Sequence, residues 1–193
     1  RSQFPVSWLR QVAPYFRRHR DKRFVVLVES SSLNDEDIAL VARDLLLLAN
    51  VGVRLVLVFG FFPDGIINLR GQYFTEHKPR RPKTSPDELD KLRCRLGSLM
   101  FKFEAAFSFE NEMDTKTPEM PRVASGNFVT AQPAGVEGGV DLESTGEIRR
   151  LQLSAIESHL DRGEIVLIPS LGHSTDGRLL SLDLGELAVE LAY

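Results

Sequence analysis

The sequence predicts an α/β domain, a three-layer sandwich around a mainly parallel sheet with an inserted β-hairpin. Three observations predict it. Apolar, β-branched runs at residues 24–28, 53–59 and 164–168 read as buried strands. Amphipathic stretches at helical spacing lie between them. The first two runs flank one such helix, and a strand–helix–strand unit of this length closes right-handed with its strands parallel. With 193 residues the chain is long enough to bury about 70% of its unfolded surface.

The elements follow in order. Residues 7–19 read as a short helix with Leu9, Val12 and Phe16 on one face, and Pro14 inside it predicts a kink or a break. After the first strand, Asn34 with Asp37 three residues on marks a helix N-cap. Ile38, Val41, Leu45 and Leu48 then recur on one face, and Gly52 sits at a plausible C-cap. Residues 77–82 read as a proline-bearing, charged loop. Ser85-Pro86-Asp87-Glu88 is a capping box with proline at the first helical position. Leu89, Leu92, Leu96, Leu99, Phe103 and Phe107 line the long helix that follows, and the phenylalanines of this stretch read as core. The one cysteine, Cys94, falls in that helix and reads as a small core or half-buried residue. Residues 110–121 read as a polar loop.

Beyond residue 122 the pattern turns to strands. Residues 128–131 and 146–151 flank the link Gly135-Val136-Glu137-Gly138-Gly139-Val140-Asp141. Its paired glycines let a backbone approach a ligand or simply form a hairpin turn. Ser154 with Glu157 opens a short helix that closes at Gly163. A shorter fourth strand occupies 178–182, and Asp183 with Glu186 caps a final helix bearing Leu187 and Leu191.

Composition excludes several classes. Hydrophobic residues are 42% and charged residues 26%, ordinary for a globular chain. The net charge of −3 argues against a nucleic-acid partner, although residues 1–24 and 78–95 are locally basic. No apolar run approaches the length of a membrane span. No Walker sequence, G-x-G-x-x-G, H-E-x-x-H or metal-spaced Cys/His cluster is present, so no metal is expected. His173, Ser174 and Asp176 lie too close in sequence to form a triad drawn from separate elements, and read as a turn. Gly60 ends the second strand at the carboxyl edge of the sheet, where open α/β sheets bind ligands; the plainer reading is a tight turn.

Several stretches carry more specific information. Val12-Ala13-Pro14-Tyr15-Phe16-Arg17-Arg18-His19-Arg20, Val51-Gly52-Val53-Arg54-Leu55-Val56-Leu57-Val58 and, most strongly, Ser125-Gly126-Asn127-Phe128-Val129-Thr130-Ala131-Gln132 resemble N-acetylglutamate synthases. The resemblance continues through Gly139-Val140-Asp141, Gly146-Glu147-Ile148-Arg149-Arg150 and Leu160-Asp161-Arg162-Gly163, and is weak between about residues 61 and 121. It implies an amino-acid-kinase-like (carbamate-kinase-like) fold. In that family such a domain precedes a GNAT acetyltransferase domain, which moves acetyl from acetyl-CoA to glutamate in the first step of arginine biosynthesis. The kinase-like part regulates, oligomerises and senses arginine. By this resemblance residues 1–23 are an N-terminal helix and linker. Residues 24–193 are then the first part of the kinase-like domain, truncated at its C-terminal end.

The resemblance also implies what the chain lacks. The K-x-G-G of related kinases, whose lysine and backbone amides hold the transferring phosphoryl group, is matched here by Leu27-Val28-Glu29-Ser30. The substrate arginine beyond the second strand is matched by Phe61-Phe62-Pro63. Glycine 185 stands where the kinases have an acid near Asp183. No catalytic residue and no cofactor are therefore expected in this chain, with acetyl-CoA serving the full-length enzyme. Tyr15 matches an aromatic that the N-terminal helix of arginine-sensitive relatives lends to the effector site; the plainer reading has it packing on its own domain. Ligand contacts are thus expected at Tyr15, Gly60 and Asp183, and a homo-oligomer through the N-terminal helix, where Trp8, Leu9 and Phe16 are apolar. The resemblance places the protein in the cytoplasm, or in the plastid stroma of a plant or alga. The alternative is a free-standing, degenerate kinase-like binding module with no enzyme domain.

Overall fold

The computed structural model describes residues 6–62, 81–109 and 122–193. The expected loops at 77–80 and 110–121, Pro63, and the side chains of Trp8 and Leu9 lie outside the described residues.

Helix α1 (Val6–His19) leads into β1 (Arg23–Glu29), α2 (Asp35–Asn50) and β2 (Arg54–Gly60). Strands β1 and β2 pair in parallel from Arg23↔Arg54 to Glu29↔Gly60, the βαβ unit read from the sequence. Helix α3 (Pro86–Phe109) precedes β3 (Val123–Ser125) and β4 (Val129–Pro133). The hairpin β5 (Val136–Glu137) and β6 (Val140–Asp141) leads to β7 (Gly146–Leu151), α4 (Leu153–Asp161) and β8 (Ile165–Pro169). Strands β9 (Leu171–His173) and β10 (Leu179–Ser181) and helix α5 (Leu184–Ala192) complete the order.

The main sheet runs β1-β2-β8-β3 and every pairing in it is parallel. A second, mixed sheet runs β10-β9-β4-β7. Alternation along the main strands divides the core in two. Leu55, Leu57 and Phe59 of β2 and Ile165 and Leu167 of β8 face α2 and α3, meeting Ile38, Leu45, Leu96 and Phe103. Val56 and Val58, with Val166 and Ile168, face the opposite way, toward Ile156 of α4, Leu184 and Leu187 of α5, and Val129 and Ala131 of the second sheet. The helix–sheet–helix layering and the inserted hairpin are those the sequence predicts.

The helix ends obey their caps. Asn34 accepts from the Asp37 amide at 2.9 Å while Asp37 accepts from the Asn34 amide at 3.0 Å. Ser85 and Glu88 form the second box. Gly138 and Gly139, with φ of 56° and 83°, resolve to the hairpin turn between β5 and β6, a conformation that costs glycine no Cβ clash. His173 ends β9 opposite Leu179, and Ser174 and Asp176 lie in the β9–β10 turn, with Ser174 and Arg178 paired through their backbones at 2.8 Å.

Five expectations are corrected. Phe101 is exposed rather than part of the core, because it lies off the face of α3 that meets the sheet. Strand β1 is half-buried along its whole length, because it lies at the edge of the main sheet rather than inside it. Of the kink or break expected at Pro14, the break does not occur: α1 runs continuously through the proline, whose missing N–H forgoes one helical hydrogen bond. Helix α4 begins one residue before Ser154, with Gln152 at its cap and no side-chain cap bond. Cys94 is exposed, because the face of α3 that meets the sheet is set by Leu96, Leu99, Phe103 and Phe107.

Candidate functional site

The carboxyl edge of the main sheet brings together the ends of β1, β2 and β8 and the start of α5. The Ser30 amide donates to the Gly60 carbonyl at 2.8 Å, and the Ser170 amide donates to the Phe59 carbonyl at 3.0 Å. The Leu182 amide closes the ring by donating to the Ser170 carbonyl at 3.0 Å. Ser30 and Ser170 are both buried. Glu29, at the tip of β1, turns its carboxylate back onto the Ser31 amide at 3.0 Å and onto the Ser31 hydroxyl. This edge therefore carries a carboxylate, whose like charge disfavours a phosphate.

Two of the three expected site residues meet here. Gly60 ends β2, and the volume its side chain would need is filled by Ser170 and by Leu184 of α5. Asp183 is the α5 N-cap: its carboxylate accepts from the Glu186 amide at 2.7 Å and its carbonyl from the Leu187 amide at 3.0 Å. Both residues thus hold the edge together. Tyr15 lies elsewhere, 63% exposed on α1. That helix joins the sheet at the opposite, amino end of β1, where His19 stacks edge-on against Phe24 and the Asp21 amide donates to the Gly52 carbonyl at 2.7 Å. Asp21 turns the corner in the left-handed region, φ 62°.

Beyond β2, Phe61 lies 3.7 Å beneath the Arg95 guanidinium of α3, a cation–π contact, and Phe62 enters the core. Aromatic packing therefore occupies the segment just beyond β2.

A cleft of about 480 Å³ was not foreseen. It lies between α3 (Arg93, Gly97, Met100), the β3–β4 turn (Ser125, Gly126, Asn127) and β9–β10 (Leu171, His173, Leu179). Ser125-Gly126-Asn127 was the strongest stretch of the resemblance, which was the available signal; the partners from α3 and β9 come together only through the topology. Among the described residues no group of three or more His, Cys, Asp and Glu side chains is placed to hold a metal ion, and no helix is long and apolar enough to cross a membrane.

No protein-family model matches the chain. An amino-acid acetyltransferase from Ectopseudomonas mendocina (strain ymp) is 37% identical over 188 residues, which is 97% of this chain and 44% of the relative. The crystal structure of N-acetylglutamate synthase from Neisseria gonorrhoeae, complexed with coenzyme A and L-arginine, superimposes with a TM-score of 0.81 at 31% identity, covering 99% of this chain and 45% of that one. The chain corresponds to the N-terminal part of N-acetylglutamate synthases. It spans less than half the length of the synthases it matches. Carbamate kinase from Giardia lamblia, bound to AMP-PNP, superimposes with a TM-score of 0.50 at 14% identity over 90% of this chain and 67% of that one, a likeness of fold: the chain has the amino-acid-kinase-like fold.

Proposed function

We propose that the chain is the kinase-like regulatory and assembly part of an N-acetylglutamate synthase. The full-length protein would acetylate glutamate with acetyl-CoA, as the first step of arginine biosynthesis, in the cytoplasm. The observation that carries this reading is the match at 37% identity across 97% of the chain to less than half of an amino-acid acetyltransferase. Acetyl transfer, and the coenzyme A site, then belong to the remainder of the protein.

On this reading residues 1–193 transfer no phosphoryl group. Glu29 at the phosphate position, Arg95-capped Phe61 and the packed Gly60 support that. L-Arginine is the proposed effector, since the Neisseria gonorrhoeae synthase was crystallised with it. Exposed Tyr15 is the proposed aromatic contact to it, and α1, which carries Tyr15 away from the sheet, the proposed contact between subunits. Gly60 and Asp183 are proposed to shape the edge of the vestigial pocket.

The test is a thiol-release assay of coenzyme A with the full-length protein, acetyl-CoA and glutamate, run with and without L-arginine. Glutamate-dependent release that arginine modulates, and that loses its arginine response in Tyr15→Ala, is the expected result. No release with glutamate, or ATP-dependent phosphorylation of glutamate or acetylglutamate by residues 1–193, overturns the proposal.

A further inference from the structure

Three carboxylates from three elements converge on one guanidinium. Arg81 Nη1 donates to Glu137 of β5 at 3.4 Å and to Glu147 of β7. Arg81 Nη2 donates to both carboxylate oxygens of Glu186, in the first turn of α5, at 3.1 Å. The Arg81 side chain is only 16% exposed, so these are not the solvent-screened pairs that contribute little. Burial by itself pulls the Arg81 pKa down, but the Glu186 and Glu147 carboxylates outweigh it and the pKa is raised. The charge is held among three carboxylates.

The residues that follow Arg81 are stitched down as well. The Pro82 carbonyl accepts from the Thr145 hydroxyl at 2.7 Å. Thr84 bridges backbone to backbone, its amide to the Leu142 carbonyl at 3.4 Å and its carbonyl to the Ser144 amide at 2.9 Å. The Thr84 hydroxyl lies 2.7 Å from that of Ser181 on β10 and 3.0 Å from that of Thr145. Ser85 then caps α3.

We infer that residues 81–85 are a coupling strap and Arg81 its positioning residue, making the β5–β6 hairpin, the start of α5 and the start of α3 move as one body. The physical reason is geometric. A guanidinium presents its donors in a rigid planar fork, so fixing one edge on Glu186 fixes where the other edge meets Glu137 and Glu147. A lysine at this position would supply charge without that constraint. The strap reaches the carboxyl edge of the main sheet through Leu184, which packs over Gly60 two residues before Glu186. A displacement of the hairpin is therefore felt where the sheet ends.

Hydrogen exchange on the full-length protein tests this, because it reads each end of the strap separately. Glu186→Gln alters only the α5 end. The strap predicts that amide exchange rises about tenfold at Leu142 and Thr84, on the hairpin side, as well as within residues 184–187, while Ile156 of α4 is unchanged. A rise confined to α5, or no rise, overturns the inference. Arg81→Ala supplies the second arm: millimolar methylguanidinium should restore protection at both ends together, and sodium chloride at equal ionic strength should not. Restoration by salt alone, or at one end only, counts against a strap. Should Arg81→Ala fail to fold, Glu137→Gln replaces it: faster exchange at residues 184–187 supports the strap, and unchanged exchange there overturns it.

Discussion

A Cβ built on Gly60 would lie 2.3 Å from the hydroxyl oxygen of Ser170 and 2.7 Å from its Cβ. The end of β2 is glycine because β8 delivers a buried serine into the space a side chain would take. Gly60→Ala should therefore destabilise the fold by overpacking, by about 1–3 kcal/mol. Ser170→Gly in the same molecule should recover much of that loss, a non-additivity expected of contacting residues. Urea denaturation of the two single variants and the double variant measures it; additive losses would show that the crowding is relieved elsewhere.

Asp183 caps α5 through its carboxylate, and the cap needs an acceptor rather than a charge. Asp183→Ala should lower stability by about 1 kcal/mol, and Asp183→Asn by much less. Thermal melts of both variants check this. Because asparagine preserves the cap, any ligand affinity lost in Asp183→Asn at unchanged stability would report a binding role distinct from capping.

On α3, Phe103 and Phe101 are two residues apart and face opposite worlds. Phe103 is fully buried and its ring centroid lies 5.3 Å from that of Phe59, whereas Phe101 is 72% exposed. Phe103→Ala should cost about 3–5 kcal/mol. Phe101→Ala should stay within about 0.5 kcal/mol of the parent protein. Equal effects in denaturant titrations would contradict the assigned face of the helix.

The comparison of these two phenylalanines also marks what the sequence could and could not tell. Periodicity alone placed Leu96, Leu99, Phe103 and Phe107 inward, because a 3.6-residue repeat is a local property. Caps at Asn34, Ser85 and Asp183 were legible for the same reason: each is settled within four residues. The half-burial of β1 was not, since Phe24-Val25-Val26-Leu27-Val28 reads identically in an edge or a central strand, and strand order is a property of the assembled sheet. Cys94 was misplaced because its burial depends on which side of α3 the sheet takes. The Arg81 cluster and the cleft by His173 were invisible in the sequence. Arg81 lies 56 residues from Glu137, 66 from Glu147 and 105 from Glu186, and no local pattern reports such pairings.

Glu164 gives a pH dependence with a definite sign. Hydrogen bonds from Arg162, then from His159, hold its pKa below the ordinary carboxylate value, against a smaller opposing effect of burial. A carboxylate depressed in the folded state contributes stability that is complete above its unfolded pKa, about 4.3, and is lost as pH falls through the folded value. The stability difference between the parent protein and Glu164→Gln should shrink as pH is lowered from about 5 into the acid range. A difference that grows on acidification would have the wrong sign.

The outward-facing thiol on α3 has a practical consequence. Cys94 is the sole cysteine among these 193 residues and it neighbours Arg95, whose guanidinium covers Phe61 at the end of β2. A maleimide fluorophore attached there would sit one residue from that contact with no competing attachment point in this chain. Its emission would report on the surroundings of the Arg95–Phe61 contact, turning a residue the core does not use into a built-in reporter.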